Sequence, residues 1–292
     1  MSAVDSIPYE RLGRPIHGPE ALTSDWTRFW HLTFNIAKTQ WKLRFFGSAL
    51  GYLWQLVRPL LMFSVLWVFF TKIGHIGNSP DTGGHYGAQL LGSIVLFTFF
   101  GESTAGAVRS VVDNEALVRK IQFPRMVIPL SNVLLAMFNL GLNLIVVFIF
   151  ALGSGVHPML TWLELPLIVA VLAVFSTGLA MLLSALYVYF RDVAPIWEVL
   201  SQVLFYASPV IIPISTVEKH LHGALLHLYM LNPLATIFQA FRHAVITHAT
   251  PSPAEILGSY AALLGPLAIV VTAFVVGFVV FDRTAPYVAE NL

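Results

Sequence analysis

Two ionisable side chains, Arg58 and Glu102, lie inside long apolar stretches of this sequence. A charged group is costly in hydrocarbon, and such groups usually pair with one another or serve a substrate or ion pathway. Arg58 and Glu102 have similar predicted depths from the same membrane surface. The sequence therefore predicts an intramembrane Arg58–Glu102 pair, and either a structural role between two helices or a substrate-facing role fits it.

A second group of charged residues precedes the first apolar stretch. Aromatic and small residues recur every three or four positions there, and basic residues recur on the opposite face, which predicts an amphipathic helix over residues 26–46. This pattern is typical of a helix in the headgroup plane of a membrane, and packing on a soluble domain is the alternative. The basic residues that would meet lipid phosphates there are Arg28, Lys38, Lys42 and Arg44.

Enzyme and metal chemistry is poorly represented in the sequence. There is no G-x-x-x-x-G-K-[ST] loop to bind nucleotide phosphates and no cysteine, so we expect neither an ATP site of that kind nor a thiolate metal site. His220, His222 and His227 share one loop, but Glu218 is their only acidic neighbour at ligand spacing, which favours solvated histidines. We predict no catalytic residue, metal or cofactor for this chain.

Aromatic residues make up 13% of the chain. Most aromatic side chains of a membrane protein face lipid or form interfacial belts. Those next to polar breaks in the apolar stretches are candidates for stacking on sugar rings, with core or belt packing as the alternative. The candidates for a translocation path are Tyr52, Trp54, Trp67, Tyr187, Phe205 and Tyr206.

The chain is 57% hydrophobic and only 11% charged, whereas soluble domains carry about 25% charged residues. We therefore predict an all-α polytopic membrane protein, with residues 1–25 and 283–292 as tails and no apolar signal segment near the start. The predicted spans are 50–70, 86–107, 126–152, 165–188, 197–212 and 256–281. The fifth is short and bounded by prolines, so residues 214–250 are expected to form re-entrant or interfacial helices.

The distribution of basic residues orients these spans. With the N-terminus inside, twelve of the 16 Lys and Arg residues lie on that side and three on the other. The positive-inside rule then predicts a multi-pass protein of the cytoplasmic membrane with both termini in the cytoplasm. A charged segment follows the second span, where Asp113 or Asn114 is predicted to cap a short helix that runs to Ile121.

Several short motifs occur in order along residues 30–291. They are Ser48-x-Leu50-Gly51-x-x-Trp54 before Pro59-Leu60, Ile121-x-Phe123-Pro124-Arg125 with Pro129, Phe190-Arg191-Asp192, and Ser208-Pro209 with Asn232-Pro233 and Phe241-Arg242. On this basis the chain resembles the permease subunit of type-2 ABC exporters for polysaccharides, the Wzm-like O-antigen and teichoic-acid group. Within the group it looks most like the actinobacterial cell-wall galactan exporter. The N-terminal extension and Arg58 have no clear counterpart in the family pattern.

The resemblance implies a half-transporter that forms a homodimer and binds two copies of a separate ATPase subunit, which would hold ATP and magnesium. It implies that the amphipathic helix is a gate helix, and that the substrate is a polyprenyl-diphosphate-linked glycan rather than a nucleic acid. It also implies a coupling helix over residues 113–121 that docks on the ATPase. Its contact residues would be Asp113, Asn114, Glu115, Arg119 and Lys120.

Two alternatives stay open. One is an exporter of the same superfamily that moves a drug or small lipid. The other is a membrane glycan polymerase or glycosyltransferase, which the short external loops and their few acidic residues disfavour.

Overall fold

The structure is a computed structural model that describes residues 26–44, 51, 53–74, 83–115 and 124–285. Within these ranges the secondary structure is entirely helical, which confirms the predicted fold class. Several predictions lie outside them: the tails over residues 1–25 and 286–292, the residues of the first motif before Gly51, Tyr52, Arg119 and Lys120.

Among the residues that the structure describes, five helical segments are long and apolar enough to cross a membrane: Leu53–Ile73, Tyr86–Val108, Val127–Gly153, Leu160–Tyr189 and Tyr260–Thr284. Their principal helices are α2 (Leu53–Val68), α3 (Tyr86–Val108), α5 (Val127–Gly153), α6 (Leu165–Tyr189) and α12 (Leu264–Thr284). The shorter elements are α1 (Trp26–Arg44), α4 (Ser110–Asp113), α7 (Val193–Ala207), α8 (Ile214–His220), α9 (Ala224–Met230), α10 (Pro233–Phe241) and α11 (Pro253–Ile256).

The region around the fifth predicted span differs from the prediction. Residues 197–212 do not form one span, because α7 has 15 residues and the chain leaves the helix at Ser208. Instead, α9 and the segment Pro233–Ile246 meet at an angle of 83°, as a broken span or re-entrant hairpin would. The last span begins at Tyr260 rather than residue 256, because a capping box of Ser252 and Glu255 starts the separate helix α11.

Helix α3 is the centre of the bundle. In its most apolar part 67% of the residues are buried inside the protein. The corresponding share is 11% for the span that begins at Leu53 and 17% for the last span. A helix that is apolar on all faces is stable where other helices surround it, and α3 contacts α2, α5, α6 and α7. The peripheral helices α2 and α12 therefore expose long apolar faces, whereas the core depends on α3.

Helices α6 and α12 pack closely on a pair of glycines. A Cβ atom on Gly277 would lie 2.0 Å from the backbone oxygen of Gly178, and one on Gly178 would lie 2.6 Å from the Cα of Phe274. Small residues let the backbones of membrane helices approach in this way. The contact holds α12 to the bundle although most of its surface faces outward.

The predicted amphipathic helix is present as α1, which packs against α5. Its buried stripe is Phe29, Thr33 and Ala37, each one helical turn from the next. The basic residues at 28, 38, 42 and 44 are exposed, so the segregation of faces agrees with the sequence pattern.

The structure describes only the first part of the charged segment after the second span. Asn114 ends helix α4, since its backbone N–H and its side-chain Nδ2 both donate to the backbone oxygen of Ser110, Nδ2 at 2.7 Å. Asp113 is the last residue of α4, and Glu115, directly after Asn114, is helical again. The helix predicted to start at Asp113 or Asn114 stays a prediction. Residues 116–123, which would complete the predicted coupling helix, lie outside the described ranges.

Candidate functional site

A cavity of about 580 Å³ lies between α2, α3 and α7. A second cavity of about 450 Å³ follows it towards α8, and the two share Phe205 and Tyr206. Together they form a groove that runs along α7 from Gly101 to His220, which we call the α7 groove. Its other lining residues include Met62, Phe70, Ile94, Phe97, Thr98, Ser201, Gln202, Ser208, Ile211, Thr216 and Tyr229.

The α7 groove combines aromatic and polar groups. Phe205 is buried, with its ring 5.0 Å from that of Phe97, while Tyr206 is 76% exposed and presents its ring to the groove. Thr98 donates its hydroxyl to the backbone oxygen of Ile94, the Oγ of Ser201 is buried, and Gln202, which also lines the cavity, is exposed. A ligand with hydroxyl groups and apolar ring faces would find both kinds of contact here.

The other predicted path aromatics lie elsewhere. Trp67 stacks on Phe63 at 6.2 Å and Trp54 is exposed on α2, while Tyr187 is buried under the guanidinium of Arg191 at 5.2 Å. None of these three lines the α7 groove. Of the described candidates, the structure thus brings Phe205 and Tyr206 together and separates the rest from them.

The Phe190-Arg191-Asp192 motif forms the tight turn between α6 and α7. Phe190 ends α6 in an extended conformation, and Asp192 immediately precedes α7. The backbone N–H of Val193 donates to the oxygen of Phe190 at 3.2 Å, which closes the turn. The motif therefore sets the direction in which α7 enters the bundle and, with it, one wall of the groove.

A polar cluster lies at the Gly101 end of the groove, centred on Glu102. Its Oε1 accepts a hydrogen bond from Gln55 Nε2 and its Oε2 one from Asn139 Nδ2, each at 2.7 Å. Arg44 NH1 lies 3.9 Å from Oε2, and Trp41 Nε1 donates to Asn139 Oδ1 at 3.1 Å. These residues, the Glu102 cluster, connect α1, α2, α3 and α5.

The predicted Arg58–Glu102 pair is wrong, because Arg44 provides the cation that faces Glu102. The buried stripe of α2 is Gln55, Pro59 and Phe63. Arg58 is not part of this stripe: it is exposed and does not join the cluster. The sequence indicates how deep a residue lies in a span, but it does not indicate which neighbouring helix that side of the span faces.

A second polar assembly, the Arg242 clamp, lies at the other end of the groove. Arg242 is 2% exposed and donates to Ser93 Oγ at 3.2 Å, to the backbone oxygens of Val210 at 3.0 Å and Ile212 at 3.4 Å, and to that of Pro209. Further bonds hold the same loop: Asn232 Nδ2 donates to Ser208 Oγ at 3.0 Å and Tyr86 OH to the oxygen of Ile211 at 2.9 Å.

The clamp shows how three of the sequence motifs are related in space, whereas the sequence shows only their order along the chain. Ser208-Pro209, Asn232-Pro233 and Phe241-Arg242 meet around the loop that forms the groove wall. The predicted spans leave Arg242 on the external side, outside the core. Its apolar neighbours in α10 are the signal that could have indicated a buried position, because an arginine inside an apolar helical segment is buried only if several acceptors surround it.

Arg125, in the Pro124-Arg125 motif, precedes α5 and is also buried, at 3% exposure. Burial lowers the pKa of its guanidinium below the usual value, because the charged form loses hydration. Its Nε and NH1 have no hydrogen-bond partner in the part of the chain that the structure describes, which omits the neighbouring residues 116–123.

Comparison with known proteins identifies the family. Residues 31–246 match the model of the ABC-2 type transporter family. The chain is 28% identical over 236 residues to an O-antigen export system permease protein RfbA from Myxococcus xanthus, covering 80% of this chain and 86% of that protein. It is 28% identical over 202 residues to a protein of the same name from Klebsiella pneumoniae, covering 69% and 74% of the two chains. The chain belongs to the ABC-2 type transporter family.

Proposed function

We propose that this chain is the transmembrane subunit of an ABC exporter that moves a polyprenyl-diphosphate-linked polysaccharide across the cytoplasmic membrane. Two relatives that cover most of the chain bear the name of O-antigen export permeases, which supports a glycan substrate. The observation that carries the proposal is the α7 groove, whose exposed Tyr206 ring and polar groups suit a sugar chain better than a purely apolar drug. A galactan is one candidate for the glycan.

The groove supports a homodimer as the working unit. It lies between the peripheral helix α2 and the short helix α7, and both expose apolar residues beside it, such as Val65, Val199 and Val203. A second copy that covers these faces would convert two grooves into one enclosed path. The bias of basic residues supports an orientation in which the Glu102 end of the groove is nearer the cytoplasm and the Arg242 end is nearer the outside.

A separate ATPase subunit would supply the energy. In this proposal α1 acts as the gate helix at the cytoplasmic surface, and its basic residues meet the diphosphate of the arriving lipid. The segment around Asp113, Asn114 and Glu115, continued by residues 116–121, contacts the ATPase. ATP and magnesium bind to that partner and not to this chain.

The proposal is tested by transport in vesicles that contain the chain and its ATPase partner. With ATP, a fluorescent lipid-linked glycan should cross the membrane, whereas the chain alone should neither transport it nor hydrolyse ATP. Transport of small lipids or drugs but not of the glycan would favour the alternative exporter, and glycan synthesis in the vesicles would favour the enzyme.

A matched pair of variants examines the groove itself. Tyr206→Ala should lower glycan transport about threefold to tenfold, since one ring–sugar contact contributes roughly 1 kcal/mol, and should leave folding intact because Tyr206 is exposed. Tyr260→Ala removes an equally exposed tyrosine (83%) outside the groove. Equal transport by both variants would contradict the assignment of the groove.

A further inference from the structure

The Glu102 carboxylate is the point at which four helices meet through side chains. It lies on α3 and accepts hydrogen bonds from Gln55 of α2 and Asn139 of α5, both at 2.7 Å. Arg44, the last residue of α1, faces it at 3.9 Å. Hydrogen bonds to an ionised carboxylate are roughly twice as strong as those between neutral groups, so the negative charge determines how firmly these helices are held together.

The bond to Gln55 bears directly on the width of the α7 groove. Gln55 and Met62 are seven residues apart on α2 and hence on the same face of the helix, and Met62 lines the groove. Gly101, next to Glu102 on α3, lines the same cavity. Because α2 has little other buried surface, the Gln55–Glu102 bond fixes one end of the α2 wall relative to the α3 wall.

The bonds to α1 run through Asn139 and Arg44. The Asn139 amide donates to Glu102 and accepts from Trp41 Nε1 at 3.1 Å, so one side chain connects the carboxylate to α1. Gln55 and Asn139 are 5% and 2% exposed, so these bonds are shielded from water. The arrangement joins the position of α1 to that of α2 through one carboxylate.

We propose that Glu102 is a positioning residue for transport, which holds α1 and the start of α2 in one fixed arrangement at the mouth of the α7 groove. The part of this inference that concerns transport rests on the proposed function. The part that concerns the contacts between the helices can be measured independently of that function. The role assigned to Glu102 is to keep both helices aligned while the complex works, and it need not touch the substrate.

An exchange of isosteric side chains provides the test. In Glu102→Gln one acceptor oxygen becomes a donor, so a neighbouring amide must turn over. If Asn139 turns, its NH₂ meets the N–H of Trp41. If Gln55 turns, the bonds re-form, but the charge that faces Arg44 is lost. In both cases the C-terminal end of α1 loses a contact.

The double variant Glu102→Gln/Asn139→Asp restores the pattern. The glutamine introduced on α3 can then donate to the aspartate introduced on α5 and accept from Gln55. That aspartate can also accept from Trp41, and the negative charge is retained in the cluster. Asn139→Asp alone places two carboxylates within hydrogen-bond distance and should be as defective as Glu102→Gln. Glu164→Gln is the control, because Glu164 is an exposed carboxylate outside the cluster.

Disulfide trapping measures the helix positions, and the chain has no cysteine of its own to interfere. Cysteines in place of Phe34 and Phe138, whose rings lie 5.7 Å apart, report the contact of α1 with α5. Cysteines in place of Phe63 and Phe150, 5.1 Å apart, report the contact of α2 with α5 away from the cluster. The full chain is used in vesicles with its ATPase partner, so that cross-linking and export are read on the same sample.

We expect Glu102→Gln to lower the rate of Phe34–Phe138 cross-linking and of export by about threefold to tenfold, the effect of losing one or two hydrogen bonds. The double variant should restore both rates, and the control pair should not change. Unchanged Phe34–Phe138 cross-linking in Glu102→Gln, or a double variant no better than the single variants, would overturn the proposal. If cross-linking is lost in Glu102→Gln and restored in the double variant while export stays normal in both, the role of Glu102 in transport is overturned. If the unmodified complex exports no glycan, only the proposed function is overturned.

Discussion

The Glu102 cluster and the Arg242 clamp lie at opposite ends of the α7 groove, and both hold peripheral segments against α3. The Glu102 cluster consists of side chains from four helices, and its cation, Arg44, is 44% exposed. The Arg242 clamp consists of one buried guanidinium that binds mainly backbone oxygens of a single loop. Side chains on separate helices can part and rejoin, whereas a loop bound through its backbone has few other arrangements. We infer that the Glu102 end is held by side-chain bonds that a single substitution can release, and that the Arg242 end is fixed through the backbone of its loop.

The largest effect is expected from Arg242→Met, which tests the fixed end. The change removes the guanidinium donor from the backbone oxygens of Pro209, Val210 and Ile212, of which the first two are in buried bonds. An unsatisfied buried group costs roughly 1–3 kcal/mol. We expect a strong loss of folded protein, measured as thermal stability in detergent and as the amount in membranes. Arg242→Lys should be intermediate, because an ammonium group cannot reach all of the acceptors.

Arg191→Met serves as the comparison for this prediction. Arg191 is an arginine of the same bundle, but it is exposed and lies over the ring of Tyr187. Its loss should change thermal stability little. If Arg242→Met were as stable as Arg191→Met, the loop would not depend on the guanidinium and the contrast between the two ends would fail.

A smaller effect is expected from Gly92→Ala, which disturbs the packing beside the clamp. A Cβ on Gly92 would lie 2.1 Å from Cε1 of Phe241, the residue before Arg242. Such overpacking typically costs about 1–3 kcal/mol, and it would push α10 away from α3. Thermal unfolding should show the loss, and Phe241→Leu should recover part of it. Gly141→Ala is the matched control, because a Cβ there meets no atom within 4 Å.

The sequence predicted much of the frame of the protein but little of these two assemblies. Long apolar runs identify helices such as α3 and α5 without any tertiary information. The partner of Glu102 was not predictable in this way, because Arg44 and Arg58 are both near its depth and only the rotation of α2 separates them. The clamp was missed because loop 208–213 has no periodic pattern, and its course depends on Arg242, which is about 30 residues further along the chain.

The smallest effects are expected from substitutions of the basic residues on the exposed face of α1. They distinguish contact with the substrate from simple anchoring of α1 at the membrane. A partly desolvated contact to a phosphate contributes roughly 1.5–3 kcal/mol, whereas attraction to anionic lipid is near 1 kcal/mol per basic residue. Exposure reduces both values, because water and salt screen the charges. Lys42→Gln or Arg44→Gln should therefore lower export about threefold, and Arg28→Gln or Lys38→Gln less than about twofold.

The reason for this order is the place of each residue relative to the groove. Arg44 lies beside Glu102, whose neighbour Gly101 lines the groove, and Lys42 is half a turn before it on α1. Arg28 and Lys38 are further from that end of the helix. The measurement is the export rate of each single variant in vesicles, normalised to inserted protein, with membrane association determined in parallel. Equal small losses at all four positions would mean that α1 is a plain anchor. The Glu102 end would then act on the groove by holding α2 in place rather than through contact with the lipid diphosphate.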